Sequence, residues 1–355
     1  MESLRWFIKS DEPKAQRARR IVNLIIVLGL FIAIFWIVPI KSVVQALSKT
    51  NPIFFLAGVL LSLGAIFLTS VLMMPLLSNQ GIKRDFFHIY RINLAVKFYL
   101  LLMPTTLVAS GVRWYRFAQP EGKVTESFVA LAFFRLLDIF LTLTMGLGFL
   151  LISTQQRYQI GIVWLALLIL FIIFFWVVIT RYSLPLYKWF RTHVRLILDK
   201  SFLQPVLRVI EKLLSSASSY ANIPVGGLLV FIIAGISSAL VGVASGVFLA
   251  RSIEIELGFM DLGWVLAIVS LAAQLPFTIM EGLGIRELTL VAVLSVFNIS
   301  SEQALALSFL IFSRGVIIAL IGGLSEALYA IRNKRITKLE SIQGESANPR
   351  DTASS

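Results

Sequence analysis

The sequence predicts an all-α, polytopic membrane helix bundle with two broken, re-entrant hairpins arranged as an inverted-topology repeat. Composition is the first observation: 58 % of residues are hydrophobic and only 14 % charged, with a mean hydropathy of +0.87. Soluble domains have about 45–50 % apolar and about 25 % charged residues, so the chain belongs in a bilayer. The second observation is a series of long apolar runs with basic residues at their ends. The third is a pair of shorter apolar runs, each broken by proline and carrying charge, at 98–116 and 262–297.

The elements follow in chain order. Residues 1–20 are polar and basic (Arg5, Lys9, Lys14, Arg17, Arg19, Arg20), and the apolar run 21–38 lacks a small-residue cleavage site. It reads as an uncleaved first span with the N-terminus inside. The second span is 53–77. The stretch 82–97 carries Lys83, Arg84, Arg91 and Lys97 and starts on the inner side. Residues 98–108 are too short to cross as a helix, and Pro104 interrupts them. Spans follow at 128–152 and 162–179. The region 181–224 holds seven basic residues against Asp199 and Glu211, with Leu203, Val206, Leu207, Ile210, Leu213 and Leu214 at helical spacing. It reads either as an amphipathic helix on the inner membrane surface or as a linker helix packed on the protein's own cytoplasmic face. Residues 225–250 span next. The loop 251–261, with three acids to one base, suits the outside. The short runs 262–275 and 288–297 form a second hairpin, and the last span is 304–330.

Orientation follows from charge. If 98–108 crossed fully, the basic 181–224 region would lie outside, against the positive-inside rule. A hairpin turning near Pro104, and a second entering from the opposite side and turning at Glu281–Gly284, put both termini and the 181–224 region inside. The order becomes span, hairpin, span twice over, with opposite starting sides, which is how transporters build a site at mid-membrane. The chain is therefore divided into a cytoplasmic N-terminus (1–20), one transmembrane domain (21–331) and a cytoplasmic tail (332–355), with a composition typical of disorder from about 341.

The net charge of +13 is explained by orientation and by attraction to anionic headgroups; no nucleic acid is expected. The absence of cysteine excludes disulfides, thiol nucleophiles and thiolate metal sites. His88 and His193 lie far apart without carboxylate company, so no metal or other cofactor is expected. No Walker loop occurs. The Gly-rich patches at 226–227, 242–246 and 322–323 are assigned to close helix packing.

Charges at membrane depth cost about 2.5–3.5 kcal/mol each and mark function by default. The candidates are Arg113 and Arg116 on the first hairpin, Arg135 and Asp138 on the following span, and Glu281, Gly282, Gly284, Arg286 and Glu287 on the second hairpin. Pro104 and Pro276 are the expected breaks. An arginine can make a forked pair with a phosphate, and the glycines let backbone amides approach a headgroup. Glu281 and Glu287 suit a cationic headgroup, the arginines or a coupling proton. Two plainer readings stand beside these. Arg286 and Glu287 would simply pair and hold the hairpin, and Arg135 and Asp138, three apart on one face, would neutralise each other. The expectation is that Arg113, Arg286 and Glu287 point into a common polar cavity.

The segment Met103-Pro-Thr-Thr-Leu-Val-Ala-Ser-Gly-Val-Arg-Trp-Tyr-Arg116, then Arg135-Leu-Leu-Asp138, then the Pro276 to Glu287 stretch resemble the lysylphosphatidylglycerol synthase transmembrane family over roughly 20–331. Two departures stand out. Val108, Ala109 and Ser110 lie where the family has Gly-Gly-Asp, and Glu281 lies where a small or amide residue is usual. The resemblance implies an integral-membrane lipid translocase or flippase-like protein of the inner membrane. The alternative is a non-enzymatic scaffold for an envelope glycosyltransferase or lipid-modifying enzyme. With 20 residues before the first span and about 25 after the last, neither of the family's soluble transferase domains fits, so no enzyme activity is expected. The expected partners are membrane lipids with an anionic headgroup, together with a second copy of the chain or an envelope enzyme.

Overall fold

The computed structural model describes residues 50–102, 106–119, 122–153, 219–222, 225–274 and 284–346, with isolated positions between 185 and 216. Every regular element among them is helical: α1 (Pro52–Asn79), α2 (Phe86–Leu102), α3 (Thr106–Ala118), α4 (Val124–Ile152), α5 (Val225–Arg251), α6 (Phe259–Ala273), α7 (Ile285–Leu294) and α8 (Ser301–Ser346). Short 3₁₀ turns occupy Ser219–Asn222 and Ser295–Phe297. Four stretches are long and apolar enough to cross a membrane: Pro52–Asn79, Val124–Ile152, Leu229–Arg251 and Ser301–Tyr329. Each overlaps a span expected from the sequence. The expected spans at 21–38 and 162–179 lie outside the described residues, as does almost all of the 181–224 region.

α1 starts where Asn51 caps it, its side chain accepting from the Ile53 amide at 3.0 Å, with Pro52 at the first helical position, where no N–H is needed. Its whole length packs on α5 through a ladder of hydroxyls. The Ser62 and Ser245 hydroxyls are 2.7 Å apart and those of Thr69 and Ser238 3.0 Å apart, while the Asn51 amide donates to the Ser252 carbonyl at 2.9 Å. As the number rises along α1 it falls along α5, so the two helices are antiparallel. Small hydroxyl residues suit such a contact in lipid: they permit close approach and hydrogen-bond across it.

The two halves repeat. The interval from Pro52 to Val225 equals that from Phe86 to Phe259, and the starts of α3 and α7, and of α4 and α8, lie only slightly farther apart. Packing obeys the same exchange: α2 lies on α8 and α6 lies on α4, so each hairpin's first arm rests on the other half's last span. Both contacts are antiparallel. Along the first, His88 meets Tyr329 and Leu94 meets Gly322; along the second, the Ser153 hydroxyl donates to Asp261 and Gly146 faces Ala267. A Cβ on Gly322 would come within 2.1 Å of the Leu94 carbonyl oxygen, so only glycine permits that backbone approach. Because the paired spans α1 and α5 run in opposite directions, the repeat is inverted. Of the glycine patches assigned to packing, Gly246, Gly322 and Gly323 are in tight contact, while Gly226 and Gly242 face open space.

One apolar core gathers the start of α1 with α5, α6, α7 and the start of α8. A second gathers the end of α1 with α2, Phe117 of α3 and the start of α4. There the 3₁₀ turn is seated by Tyr220, whose ring stacks on Phe133 at 4.3 Å and whose hydroxyl donates to the Leu76 carbonyl at 3.2 Å. The Gln80 amide donates to the Ser216 carbonyl at 2.9 Å, which ties this end of the linker to the end of α1.

Candidate functional site

α2 and α3 are the arms of the first hairpin, and α6 and α7 those of the second. The tips, 103–105 and 275–283, lie outside the described residues, and with them Pro104, Pro276, Glu281 and Gly282. Among the described residues, α6 ends at Ala273 with Gln274 as its C-cap and α7 begins after Gly284.

Arg113 lies on α3, where its Nε is buried and has no hydrogen-bond partner among the described residues. Its guanidinium faces the Phe134 ring of α4 at 5.8 Å, and it lies within electrostatic reach of Arg135 and Asp138. Asp138 is in turn under the influence of Arg135, Arg113 and Lys97. Lys97 of α2, Arg113 of α3 and Arg135 of α4 thus all act electrostatically on Asp138 of α4, so Asp138 feels two cations besides Arg135, its neighbour on the same helix. Arg135 also donates to the Gln274 carbonyl at 3.2 Å. That carbonyl lies at the end of α6, where unpaired carbonyls carry partial negative charge. Arg135 therefore joins the first half's cations to the break of the second hairpin.

Arg286, on α7, is 3 % exposed. Its Nε donates to Ser308 Oγ of α8 at 2.9 Å, and a terminal guanidinium nitrogen lies 3.0 Å from Glu287 Oε1. Ser308 Oγ donates to the same carboxylate oxygen at 2.6 Å, closing a three-residue ring. The other Glu287 oxygen accepts from the Gly284 amide. Gly284 has φ +88°, a left-handed conformation that glycine adopts without strain, and this turns its N–H toward Glu287 at the start of α7. The Phe312 ring lies 5.6 Å from the Arg286 guanidinium. Arg286 and Glu287 are paired with each other and bind α7 to α8.

Each second arm carries one of the two arginines, at different places along it: Arg113 lies about two turns into α3, whereas Arg286 lies in the first turn of α7. Their neighbours differ: Glu287 follows Arg286, whereas Trp114 follows Arg113. Of the residues expected to share a cavity, Arg113 faces Phe134 of α4, whereas Arg286 and Glu287 face Ser308 and Phe312 of α8.

Arg116, one turn from Arg113, forms an ion pair with Glu326 of α8 and reaches the Tyr99 hydroxyl at 3.5 Å. Three polar groups escaped the sequence reading. Arg314, in the middle of the α8 span, donates to Ser245 Oγ at 3.0 Å and so joins α8 to the α1–α5 hydroxyl ladder. Glu326 anchors Arg116, and Asp261 joins α6 to the end of α4. Two charges inside the 304–330 run, Arg314 and Glu326, were signal enough to find both.

Among the described residues no group of His, Cys, Asp and Glu could hold a metal ion. The family model of the lysylphosphatidylglycerol synthase transmembrane region matches residues 20–323. The chain belongs to this family. No curated protein and no solved structure matches it at a significant level. Family and fold together make it a multi-pass membrane protein with a lipid-related role.

Proposed function

We propose that this member of the family moves an anionic lipid, of the phospholipid or polyprenyl-phosphate type, between the leaflets of the inner membrane. The observation that carries this reading is the buried Arg113 of α3, its Nε without a hydrogen-bond partner among the described residues, facing the α4 helix, from which Arg135 reaches the Gln274 carbonyl at the end of α6. A buried charge held only for structure tends to be paired, because an unpaired ion costs several kcal/mol. A buried arginine with an unused donor is suited to a phosphate, which a guanidinium can grip through two parallel hydrogen bonds.

The inverted repeat supplies a route for exchange. Each half has a hairpin seated on the other half's last span, so rocking one half against the other would open the same region first to one side and then to the other. Transport of this kind needs no catalytic group, and the chain is read as a non-enzyme with lipids as its partners. The basic loop at 83–84 and the seven cations of 181–224 favour the cytoplasmic side for that face, and with it for both termini.

The test is leaflet exchange of fluorescent phosphatidylglycerol and phosphatidylcholine in vesicles carrying purified protein, followed by reduction of the outer-leaflet fluorophore. Exchange of the anionic lipid above that of empty vesicles, lost in folded Arg113→Ala protein, is the expected result. No exchange above empty vesicles with any of several headgroups would favour the scaffold role.

A further inference from the structure

A second polar region lies away from the hairpin tips, at the turn between α1 and α2. A cavity of about 490 Å³ opens there, lined by Met74, Pro75, Ile82 and Ile89 on one side and by Ser78, Lys83, Arg84 and Asp85 on the other. Four of its lining residues are apolar, three are charged and Ser78 is polar. Ile82 and Ile89 are about 1 % exposed and belong to the apolar core, so they form a fixed floor, while Ser78, Lys83 and Asp85 are exposed at the mouth.

Among the lining residues, Lys83 and Arg84 stand beside one acid, Asp85. Asp85 is engaged in starting α2, its carboxylate accepting from the Phe87 amide at 3.3 Å. The other nearby acid, Glu326, is paired with Arg116. Arg91, one turn into α2, lies with its guanidinium 3.0 Å from the Tyr329 ring centre and close to His88 Nδ1, 3.3 Å away. His88 registers the local field: burial first, then Arg91, Arg84 and Arg116, hold it below the ordinary histidine value, against a smaller opposing effect of Asp85.

We propose that this cavity is a binding site for the phosphodiester headgroup of an anionic membrane lipid, separate from the cation set around Arg113. Lys83 and Arg84 contact the phosphate, and Met74, Pro75 and the two isoleucines take the glycerol and the first methylenes of a chain. Orientation of the protein by the positive-inside rule would need the charge but not the cavity, and diffuse attraction to an anionic surface would need neither apolar walls nor a fixed volume. The combination of both in one recess is what a headgroup with a chain attached requires. The site does not depend on the transport reading, since a lipid held at the end of α1 would act there even in a scaffold.

The experiment uses the whole chain in neutral detergent, with binding of short-chain phosphatidylglycerol, short-chain phosphatidylcholine and inorganic phosphate measured by native mass spectrometry. The lack of cysteine allows the cavity to be filled after folding: Ser78→Cys protein is purified, tested, then labelled with a bulky maleimide and tested again. Phosphatidylglycerol should bind at least tenfold more tightly than phosphatidylcholine. Labelling at position 78 and the double change Lys83→Ala with Arg84→Ala should each weaken it at least tenfold. Removing two charges elsewhere, by Lys188→Ala with Lys212→Ala, should change it less than twofold. Undiminished binding after labelling would show diffuse surface attraction and overturn the cavity. Equal loss in the control pair would do the same. Binding of inorganic phosphate as tight as that of the lipid would assign the recess to a free anion. Each of these outcomes is read without a transport assay, so failure here leaves the leaflet-exchange proposal standing.

Discussion

Arg286→Ala separates a latch from a ligand group. The side chain gives up a hydrogen bond to Ser308 at 2.9 Å and one to Glu287 at 3.0 Å; interhelical hydrogen bonds in membrane proteins average about 0.6 kcal/mol each. The larger effect falls on Glu287. Removing one partner from a fully buried ion pair costs about 3–5 kcal/mol because the other charge is left alone. Here the carboxylate keeps the Ser308 hydroxyl and the Gly284 amide as donors, and its side chain is 17 % exposed, so the penalty should fall toward the lower end. The sum predicts a loss of about 2–4 kcal/mol. Equilibrium unfolding in mixed detergent micelles measures it, with Glu287→Gln and the double variant completing a cycle. The double variant should recover about 1 kcal/mol or more relative to additivity, because the stranded charge is gone. A loss below about 0.5 kcal/mol, or strict additivity, would refute the latch. Leaflet exchange in the same protein makes the test two-sided: full stability with lost exchange would make Arg286 a substrate group.

Arg113→Ala should change stability by less than about 1 kcal/mol while reducing leaflet exchange at least tenfold. Arg113→Lys should recover only a minor part of that exchange, since a point charge cannot reproduce the fork; near-complete rescue would count against phosphate gripping. Gly322→Ala places a methyl against the Leu94 carbonyl and should destabilise by about 1–3 kcal/mol, visible as loss of monodisperse protein on size exclusion, whereas Gly242→Ala, which faces open space, should be silent. For orientation, single cysteines at Lys83 and Glu256, both exposed, are read by an impermeant thiol reagent on whole cells. Glu256→Cys should label from outside and Lys83→Cys only after lysis, and the reverse would invert the topology. Ser252, on the same loop as Glu256, is 3 % exposed and would give a false negative there.

The fold was legible because hydropathy in a bilayer is close to a length measurement. Runs at 53–77, 128–152, 225–250 and 304–330 correspond to α1, α4, α5 and the membrane part of α8 within a few residues, and the hairpins were betrayed by runs too short to cross. The inversion was legible only through charge, from the need to keep 181–224 inside. What hydropathy could not show was which helix faces which. Ser62, Thr69, Ser238 and Ser245 barely alter an apolar run, yet they hydrogen-bond across the α1–α5 contact between the halves. Among site residues, the identity of the charges was readable but not their partners. Arg286 and Glu287, adjacent in sequence, turned out to be bound to each other and to Ser308. Arg113 and Asp138, separated by a helix and a turn, were brought into one cluster by the packing of α3 on α4, which no spacing rule encodes. Lys97 was noted for its sign along the inner-side stretch but not as a member of that cluster.

The two halves started from one plan and do not use it alike. On the second hairpin's second arm, Arg286 is followed by Glu287 and backed by Ser308, and its charge is answered on the spot. Arg113 is followed by Trp114, whose indole N–H is spent on the Val124 carbonyl at 2.7 Å, and the nearby acid, Asp138, also serves Arg135 and Lys97. Arg113 thus has no carboxylate of its own at hand, as Arg286 has in Glu287, and its Nε has no hydrogen-bond partner among the described residues. A symmetric pair of latches would hold a bundle shut, and a symmetric pair of open arginines would leave two uncompensated charges in lipid. Dividing the roles avoids both costs: α7 is secured to α8 by a closed ring, and the field of the first hairpin is left to be neutralised by something that carries a negative charge. Arg135, bonded to the Gln274 carbonyl, places that field beside the break in the opposite hairpin. On the transport reading proposed above, a phosphate drawn to Arg113 would lie near the end of α6, in a region that rocking of the repeats would expose to each side in turn.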